Sequence, residues 1–375
     1  MDEEFKRVIA KAGDPPGLSL VVVKNEKVVF SEGIGLADGP RNIPATPDTV
    51  YHWWSITKVP TAIAILQLQE RGMLNIDDPA SEHLPFFEVE HPTDAKGVVT
   101  IKHLMNHSSG LPDASLPKPG RVWIRHEHDP HVNQTELIRS ELPNYKTLRF
   151  APGTHWEYSN TGFMVLGAMI EEATGMTYED YVAENILRPL KMSRTDFAYT
   201  EEMIQHAAVG SHGDPDGSWE EALRAVIPDF DSYVREKVEG RFWFNRYYTD
   251  QSSTSGLIGP ATDVARLAMM YLNGGELDGE RILSAESVTK MTYEGHVKAK
   301  STYSERYADT WRGIGWASIA REDGRLWVEH IGGGAGFGAS MRLYPEEGLG
   351  VILMANDTNI HRDIIADYVA SFEWA

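Results

Sequence analysis

The 375-residue chain contains no cysteine. Disulfides, thiolate nucleophiles and every Cys-built zinc or iron–sulfur site are thereby excluded, so any chemistry must come from oxygen and nitrogen groups. Basic residues are in deficit: 35 Lys and Arg against 55 Asp and Glu leave a formal charge of −20. A field of that sign repels phosphate backbones and anionic membrane faces, and neither nucleic acid nor membrane is an expected partner. Long apolar runs are missing too. No stretch of 18 uncharged apolar residues occurs, and the opening Met-Asp-Glu-Glu-Phe-Lys-Arg lacks the basic and apolar regions of a secretory leader, so a soluble cytoplasmic protein is expected. No Gly-x-Ser-x-Gly elbow is present, which removes the α/β-hydrolase route to a reactive serine.

What is there suits a globular enzyme. Hydrophobic residues make up 42% and charged residues 24%, so the chain has the apolar content to fold without a partner. Its length implies one large core or two intimate domains. Leu18 to Val23 and Val28 to Phe30 flank a polar break and read as a hairpin. Ser55 opens a helix of about four turns that ends at Arg71-Gly72, with Pro60 in its tolerant first turns. The middle shows short helical patterns (Ile101 to Asn106, Tyr158 to Ala173, Tyr178 to Leu187) between Pro- and His-rich loops, and few strand signals. Alternation returns at Gly313 to Ser318, Leu326 to His330, Ala339 to Leu343 and Leu349 to Met354, before a final helix from Arg362 to Phe372. The expected fold is α+β: an antiparallel sheet from both termini flanked by helices (1–76 and 255–375), with a mostly helical domain (77–254) inserted and the active site between them.

Ser55-Ile56-Thr57-Lys58 places a hydroxyl and an amine on one helix face. A serine hydroxyl becomes nucleophilic when a base sits within hydrogen-bond reach, and lysine serves once its charge is disfavoured by desolvation. Trp53, Trp54, Ile56, Val59 and Pro60 supply that apolar setting. The same spacing recurs at Ser115…Lys118, in a Pro-flanked loop, and at Ser287…Lys290, on a polar helix expected to face solvent. Tyr158-Ser159-Asn160 heads a charge-free helix, whereas the similar Tyr271-Leu272-Asn273 runs into Gly274-Gly275 as a helix end. His330-Ile331-Gly332-Gly333-Gly334 closes an apolar strand, and glycines there let a substrate approach the backbone.

In this order the three patterns resemble the serine β-lactamase and penicillin-binding protein superfamily, in particular its class C β-lactamase-like group of carboxylesterases, D-aminopeptidases and DD-peptidases. His107-Ser108-Ser109-Gly110-Leu111-Pro112, Pro152-Gly153 and Gly256-Leu257 followed by Thr262-Asp263-Val264-Ala265 extend the likeness over nearly the whole chain. The resemblance implies a β-lactamase/transpeptidase-like fold and an acyl-enzyme mechanism without cofactor or metal. It makes Ser55 the nucleophile, Lys58 its proton acceptor and Tyr158 a proton relay. Asn160 orients the lysine and binds substrate, and the amides of Ser55 and Gly333 form the oxyanion hole.

Penicillin-recognising members usually carry Lys-Thr-Gly where this chain has His330, Ile331 and Gly332. An imidazole is mostly uncharged near neutral pH and holds a carboxylate less firmly than lysine does. The expected activity is therefore carboxylester hydrolysis on small or short-chain esters. D-amino-acid amidase, DD-peptidase or weak β-lactamase activity through the same residues, acyl transfer to an alcohol, and a non-catalytic binding protein are the alternatives. His103 and His107 stand four apart without a metalloprotease glutamate, and Arg125 to His131 reads as a solvated loop; neither is assigned a metal. Phe242 to Tyr248 lies in the helical region and either roofs an acyl pocket or packs in the core. Oligomeric state is not legible.

Overall fold

The apolar runs at the two ends of the chain meet in one sheet. Leu18 to Val23 lies within β1 (Gly17–Lys24), and a turn at Asn25 returns the chain as β2 (Lys27–Asp38); β3 (Ile43–Pro44) adds a short edge. From the other end come β4 (Val297–Lys298), β5 (Trp311–Arg312), β6 (Ser318–Glu322), β7 (Arg325–Gly334), β8 (Phe337–Tyr344) and β9 (Leu349–Ala355). They assemble in the order β4-β5-β6-β7-β8-β9-β1-β2-β3. All neighbours are antiparallel, and the ends of the chain join where Leu20 of β1 faces Leu353 of β9. This computed structural model describes residues 3–92, 96–114, 123–214, 217–227, 229–298 and 310–374.

Five helices build the layers around the site: α1 (Glu3–Lys11), α2 (Lys58–Glu70), α3 (Asn160–Thr174), α4 (Ala261–Leu272) and α5 (Arg362–Ala370). Alternate side chains of a strand point to opposite faces. Leu18, Leu20 and Val22 accordingly pack with Phe5 and Ile9 of α1 and with Ile365 and Val369 of α5. Val21 and Val23 join α2, α3 and α4 on the other side. α2 is buried on all sides from Lys58 to Leu68, as expected of a helix with no polar stripe. Its lysine is thus carried into the interior.

Three expectations are corrected. Gly313 to Ala317 is a bend between β5 and β6, because Gly315 takes a left-handed backbone (φ 77°) that a continuous strand does not contain. α1 was not anticipated, although Phe5 and Ile9 stand one turn apart. The segment 77–254 is less helical than its pattern suggested. Strands Ser211–Gly213, Val234–Val238 and Arg241–Phe244 form a separate small sheet, and Ile124–His126 pairs with Tyr247–Thr249. Phe242 to Phe244 and Tyr247-Tyr248 therefore belong to strands, with Asn245-Arg246 between them. The hairpin leading into Phe242 turns on Glu239 and Gly240, both at positive φ (51° and 75°), a two-residue geometry for which glutamate at the first position gives no usual signal.

Candidate active site

The strand Val50–His52 pairs with Ile258–Pro260, and Trp53 N–H donates to Leu257 O at 2.9 Å. The chain then turns sharply. Trp54 has φ 50°, a left-handed conformation that costs a bulky residue about 1–3 kcal/mol and is commonest at functional sites. A short 3-10 turn, Trp54–Thr57, follows and runs into α2 at Lys58. Ser55 thus sits on a 3-10 turn and not on the α-helix proper, a geometry in which residues i and i+3 nearly eclipse. Thr57 Oγ1 accepts from Leu257 N–H at 3.2 Å, and Thr61 Oγ1 donates to Ser253 O at 2.7 Å, so the turn that carries Ser55 is pinned to 253–257.

On this base Lys58 Nζ lies 3.1 Å from Ser55 Oγ and donates to Thr254 O at 3.0 Å. The lysine is fully buried. Burial pushes its pKa down to about 7, against a smaller opposing pull from the Asp113 carboxylate. Tyr158 O–H donates to Ser55 Oγ at 2.8 Å, and its ring lies 5.1 Å from Nζ. Tyr158 is held in turn by His107, whose ring stacks on it at 4.5 Å while Nδ1 accepts from Ser159 N–H at 3.2 Å. Ser159 caps α3 by accepting from Gly162 N–H at 3.1 Å. The helix start and the phenol are therefore placed by one histidine.

Asn160 begins α3 with its backbone N–H on Asp113 Oδ1 at 2.9 Å. The bonds of Lys58 go to Ser55 and Thr254, so the Thr254 carbonyl takes the orienting role expected of Asn160.

The glycine-rich strand closes the other side. β6 pairs with β7 only as far as Ser318 opposite Glu329, whereas β8 continues alongside β7 to Gly334 opposite Phe337. His330 to Gly334 thus present one backbone edge with no strand on it among the described residues. A Cβ on Gly332 would fall on the Trp53 carbonyl, and one on Gly334 would enter the Trp54 indole. Only glycine lets the strand and the Ser55 turn approach so closely. His330 projects to the same face as Gly332 and is buried, its Nδ1 bonded to Ile331 O at 2.9 Å and its Nε2 without a partner among the described residues. Nδ1 is then the donor and Nε2 the acceptor. Burial, reinforced by the Lys58 charge, drives its pKa down to about 3, so it is neutral at any working pH.

A family model described as Beta-lactamase matches residues 5–372. The chain belongs to the β-lactamase family. Among curated relatives, Protein flp of Staphylococcus aureus (strain N315) is 26% identical over 344 residues, covering 92% of this chain. The chain spans 60% of that relative's length. The octameric penicillin-binding protein homologue from Pyrococcus abyssi superposes with a TM-score of 0.76 at 26% identity, over 99% of this chain and 77% of that one. D-amino acid amidase from Ochrobactrum anthropi SV3 gives 0.76 at 19% identity, over 98% of both chains. EstCE1, a hydrolase with promiscuous acyltransferase activity, gives 0.74 at 20% identity, over 98% and 97%. The last two likenesses establish the fold alone.

The remaining sequence signals of this β-lactamase-family chain lie elsewhere. Ser287 is buried with its hydroxyl on Glu70, not on the solvated face expected, and Lys290 pairs with Glu286. Ser115 and Lys118 lie outside the described residues. His103 accepts from Thr100 N–H in a helix cap while His107 serves Tyr158, so the two do not converge. Arg125 and His126 lie on a strand and not in a bare loop, and His131 pairs with Glu179. A cavity of about 530 Å³ bordered by His52, Tyr247 and Phe337 does not include Ser55 among its walls. The lining cations Arg235 and Arg246 are already held by Asp38 and Glu127. Thr254, Arg312 and Arg362 were not singled out from sequence. Arg312 stacks on Trp156 at 3.9 Å, and its charge helps keep His330 and His107 neutral.

Proposed function

We propose that the protein hydrolyses small or short-chain carboxylesters through an acyl-enzyme on Ser55. The observation that carries this reading is a buried lysine, with a pKa near 7, 3.1 Å from a serine hydroxyl that also receives a tyrosine hydrogen bond. In its neutral form Lys58 accepts the Ser55 proton as Oγ attacks the carbonyl carbon. The oxyanion is taken by the backbone N–H groups of Ser55 and Gly333. Collapse breaks the bond to the alkoxide, which receives its proton through Tyr158. Water then adds to the acyl carbonyl with Lys58 and Tyr158 as base, and the carboxylic acid leaves. The site is read as lying between the sheet unit (1–76 and 255–375) and the inserted segment 77–254.

The ester preference is supported by His330. Its Nε2 offers a lone pair and no charge, and a lone pair repels the carboxylate of a β-lactam or a peptide C-terminus. The same lone pair favours a second reading, an amide or ester whose amine donates a hydrogen to Nε2, as in amino-acid amides. No helix among the described residues is long and apolar enough to cross a membrane. Purified protein is tested with p-nitrophenyl acetate and butyrate, D-amino-acid amides and nitrocefin, with intact-mass detection of the acyl adduct. Ester turnover lost in Ser55→Ala supports the reading. Rapid nitrocefin cleavage with negligible ester cleavage reverses the preference, and binding without acylation points to a non-catalytic protein.

A further inference from the structure

We propose that Arg362 polarises the Gly332–Gly333 peptide and thereby strengthens the Gly333 N–H as an oxyanion donor. The inference rests on the acyl-enzyme reading above. Arg362 is the first residue of α5, on the face of the sheet opposite α2. Its Nη1 donates to Gly332 O at 2.6 Å. No carboxylate among the described residues lies within ion-pair distance of it, although it is partly buried. Arginine keeps its proton even when desolvated. A partly buried cation with no carboxylate in ion-pair reach, drawn only at longer range by Glu329 and Asp363, is a costly way to hold a helix end, which argues that its field serves something other than stability.

The peptide geometry names the beneficiary. The carbonyl of residue 332 and the N–H of residue 333 belong to one peptide group, and in a trans peptide they point in opposite directions. The guanidinium sits over the facing glycines of β7 and β8: a Cβ on Gly333 would come within 2.8 Å of Nη1, and one on Gly338 within 3.2 Å. With the carbonyl turned to that cation, the N–H of the same peptide is directed away from it. The other side of β7 is the edge that β6 leaves open beyond Glu329. A charged donor on an amide oxygen draws electron density from the nitrogen and makes the N–H a better donor, the cooperative effect seen along hydrogen-bond chains. The positive charge also attracts the oxyanion through a medium of low polarity. Arg362 touches neither Ser55 nor substrate and is a positioning residue. The glycine at 333 is explained as well, since a side chain there would displace the guanidinium.

The test is the carbonyl stretch of the acyl-enzyme, recorded by isotope-edited infrared spectroscopy with a ¹³C-carbonyl neutral ester on the parent, Arg362→Gln and Arg362→Lys. Stronger oxyanion hydrogen bonds lower that frequency. Arg362→Gln is expected to raise it and to cut the acylation rate about tenfold, a fraction of the loss seen when a whole donor is removed. Arg362→Lys retains charge without the fork and is expected to fall between, which keeps the test open if the glutamine variant does not fold. An acyl band unmoved in the variants overturns the inference alone. A loss confined to the KM of carboxylate-bearing substrates also overturns it, because Arg362 then binds substrate. Absence of any adduct on parent Ser55 brings down the functional reading and this inference with it.

Discussion

Lys58 Nζ and Ser55 Oγ stand 3.1 Å apart, and the lysine exposes no surface to solvent. An amine held there has little to gain from its charge, since its fixed partners are a hydroxyl and the Thr254 carbonyl. On the proposed mechanism, the base is prepared by the fold before any substrate arrives.

Activity should follow that amine. Lys58 accepts a proton only when neutral, and its pKa is about 7, so kcat/KM is expected to rise through pH 7 and level off above it. Lys58→Arg keeps the charge but cannot give up its proton, and should lose activity on the order of 10³-fold at every pH. Stability carries the same sign. Between the folded value near 7 and the ordinary 10.5, the unfolded chain binds the extra proton, so resistance to urea should increase with pH across that window. Lys58→Met should flatten the increase. A pH–rate profile and urea melts at both ends of the window check both expectations.

On the proposed mechanism, Tyr158 completes the proton path. Its hydroxyl donates to Ser55 Oγ at 2.8 Å. Tyr158→Phe removes that proton and leaves the ring stacked on His107. The expected loss is about 10²–10⁴-fold in kcat with KM little changed, the usual weight of a positioned acid or base. A large change in KM with kcat preserved would assign the tyrosine to substrate binding instead.

Gly332 tests how tightly the strand and the nucleophile's turn are fitted. A Cβ there lands on the Trp53 carbonyl, two residues before Ser55, and the turn must move. Displacements near 1 Å at a reacting group cost about 10²-fold in rate. Gly332→Ala should show that loss with a modest fall in Tm, and steady-state kinetics beside a melting curve separate the two effects. Gly324, in the β6–β7 turn with open space around it but a left-handed backbone (φ 83°), is a control for stability loss alone: its alanine variant should lower Tm and leave kcat intact.

How much of this was legible in the sequence follows from the range of the contacts. Ser55, Lys58 and Tyr158, singled out by spacing together with the family resemblance, are brought together by the fold, and the apolar runs at both ends identified the sheet. What stayed hidden is held across long stretches of chain. The carbonyl that orients Lys58 comes from Thr254, 196 residues away, and a backbone oxygen leaves no trace in residue type. Arg362 reaches Gly332 from another element, and nothing in its local pattern distinguishes it from a surface cation opening a helix. The strands at Val234–Val238 and Arg241–Phe244 were missed because glutamate occupies a turn position where asparagine or glycine is the usual mark.

On the proposed reading His330 sets the charge preference. Its Nε2 is a neutral lone pair, so His330→Lys should favour substrates with a carboxylate. One charge-assisted hydrogen bond contributes about 1.5 kcal/mol, which lowers KM for such an ester roughly tenfold. The new cation also repels the Lys58 charge, and the acid limb of the pH profile should move below 7. An unchanged limb would place the new ammonium away from Lys58.

His107 is the residue whose role the structure adds most plainly to the sequence pattern. It adopts φ 61°, accepts Ser159 N–H on Nδ1, and offers its carbonyl to Glu157 N–H at 3.0 Å, so both its backbone and its ring hold the segment that carries Tyr158. Burial first, and then the Lys58 charge, keep the ring well below its ordinary pKa, which leaves Nδ1 free to accept. His107→Ala strands the Ser159 N–H in a buried setting and removes the stacking face, with an expected cost of about 1–3 kcal/mol in stability. His107→Asn tolerates the left-handed backbone and offers an acceptor oxygen in place of Nδ1. It should recover most of the stability but less of kcat, because an amide does not support the phenol as an imidazole ring does. Equal recovery of both would reduce His107 to a hydrogen-bond acceptor, and failure of asparagine to restore either would show that stacking on Tyr158 dominates.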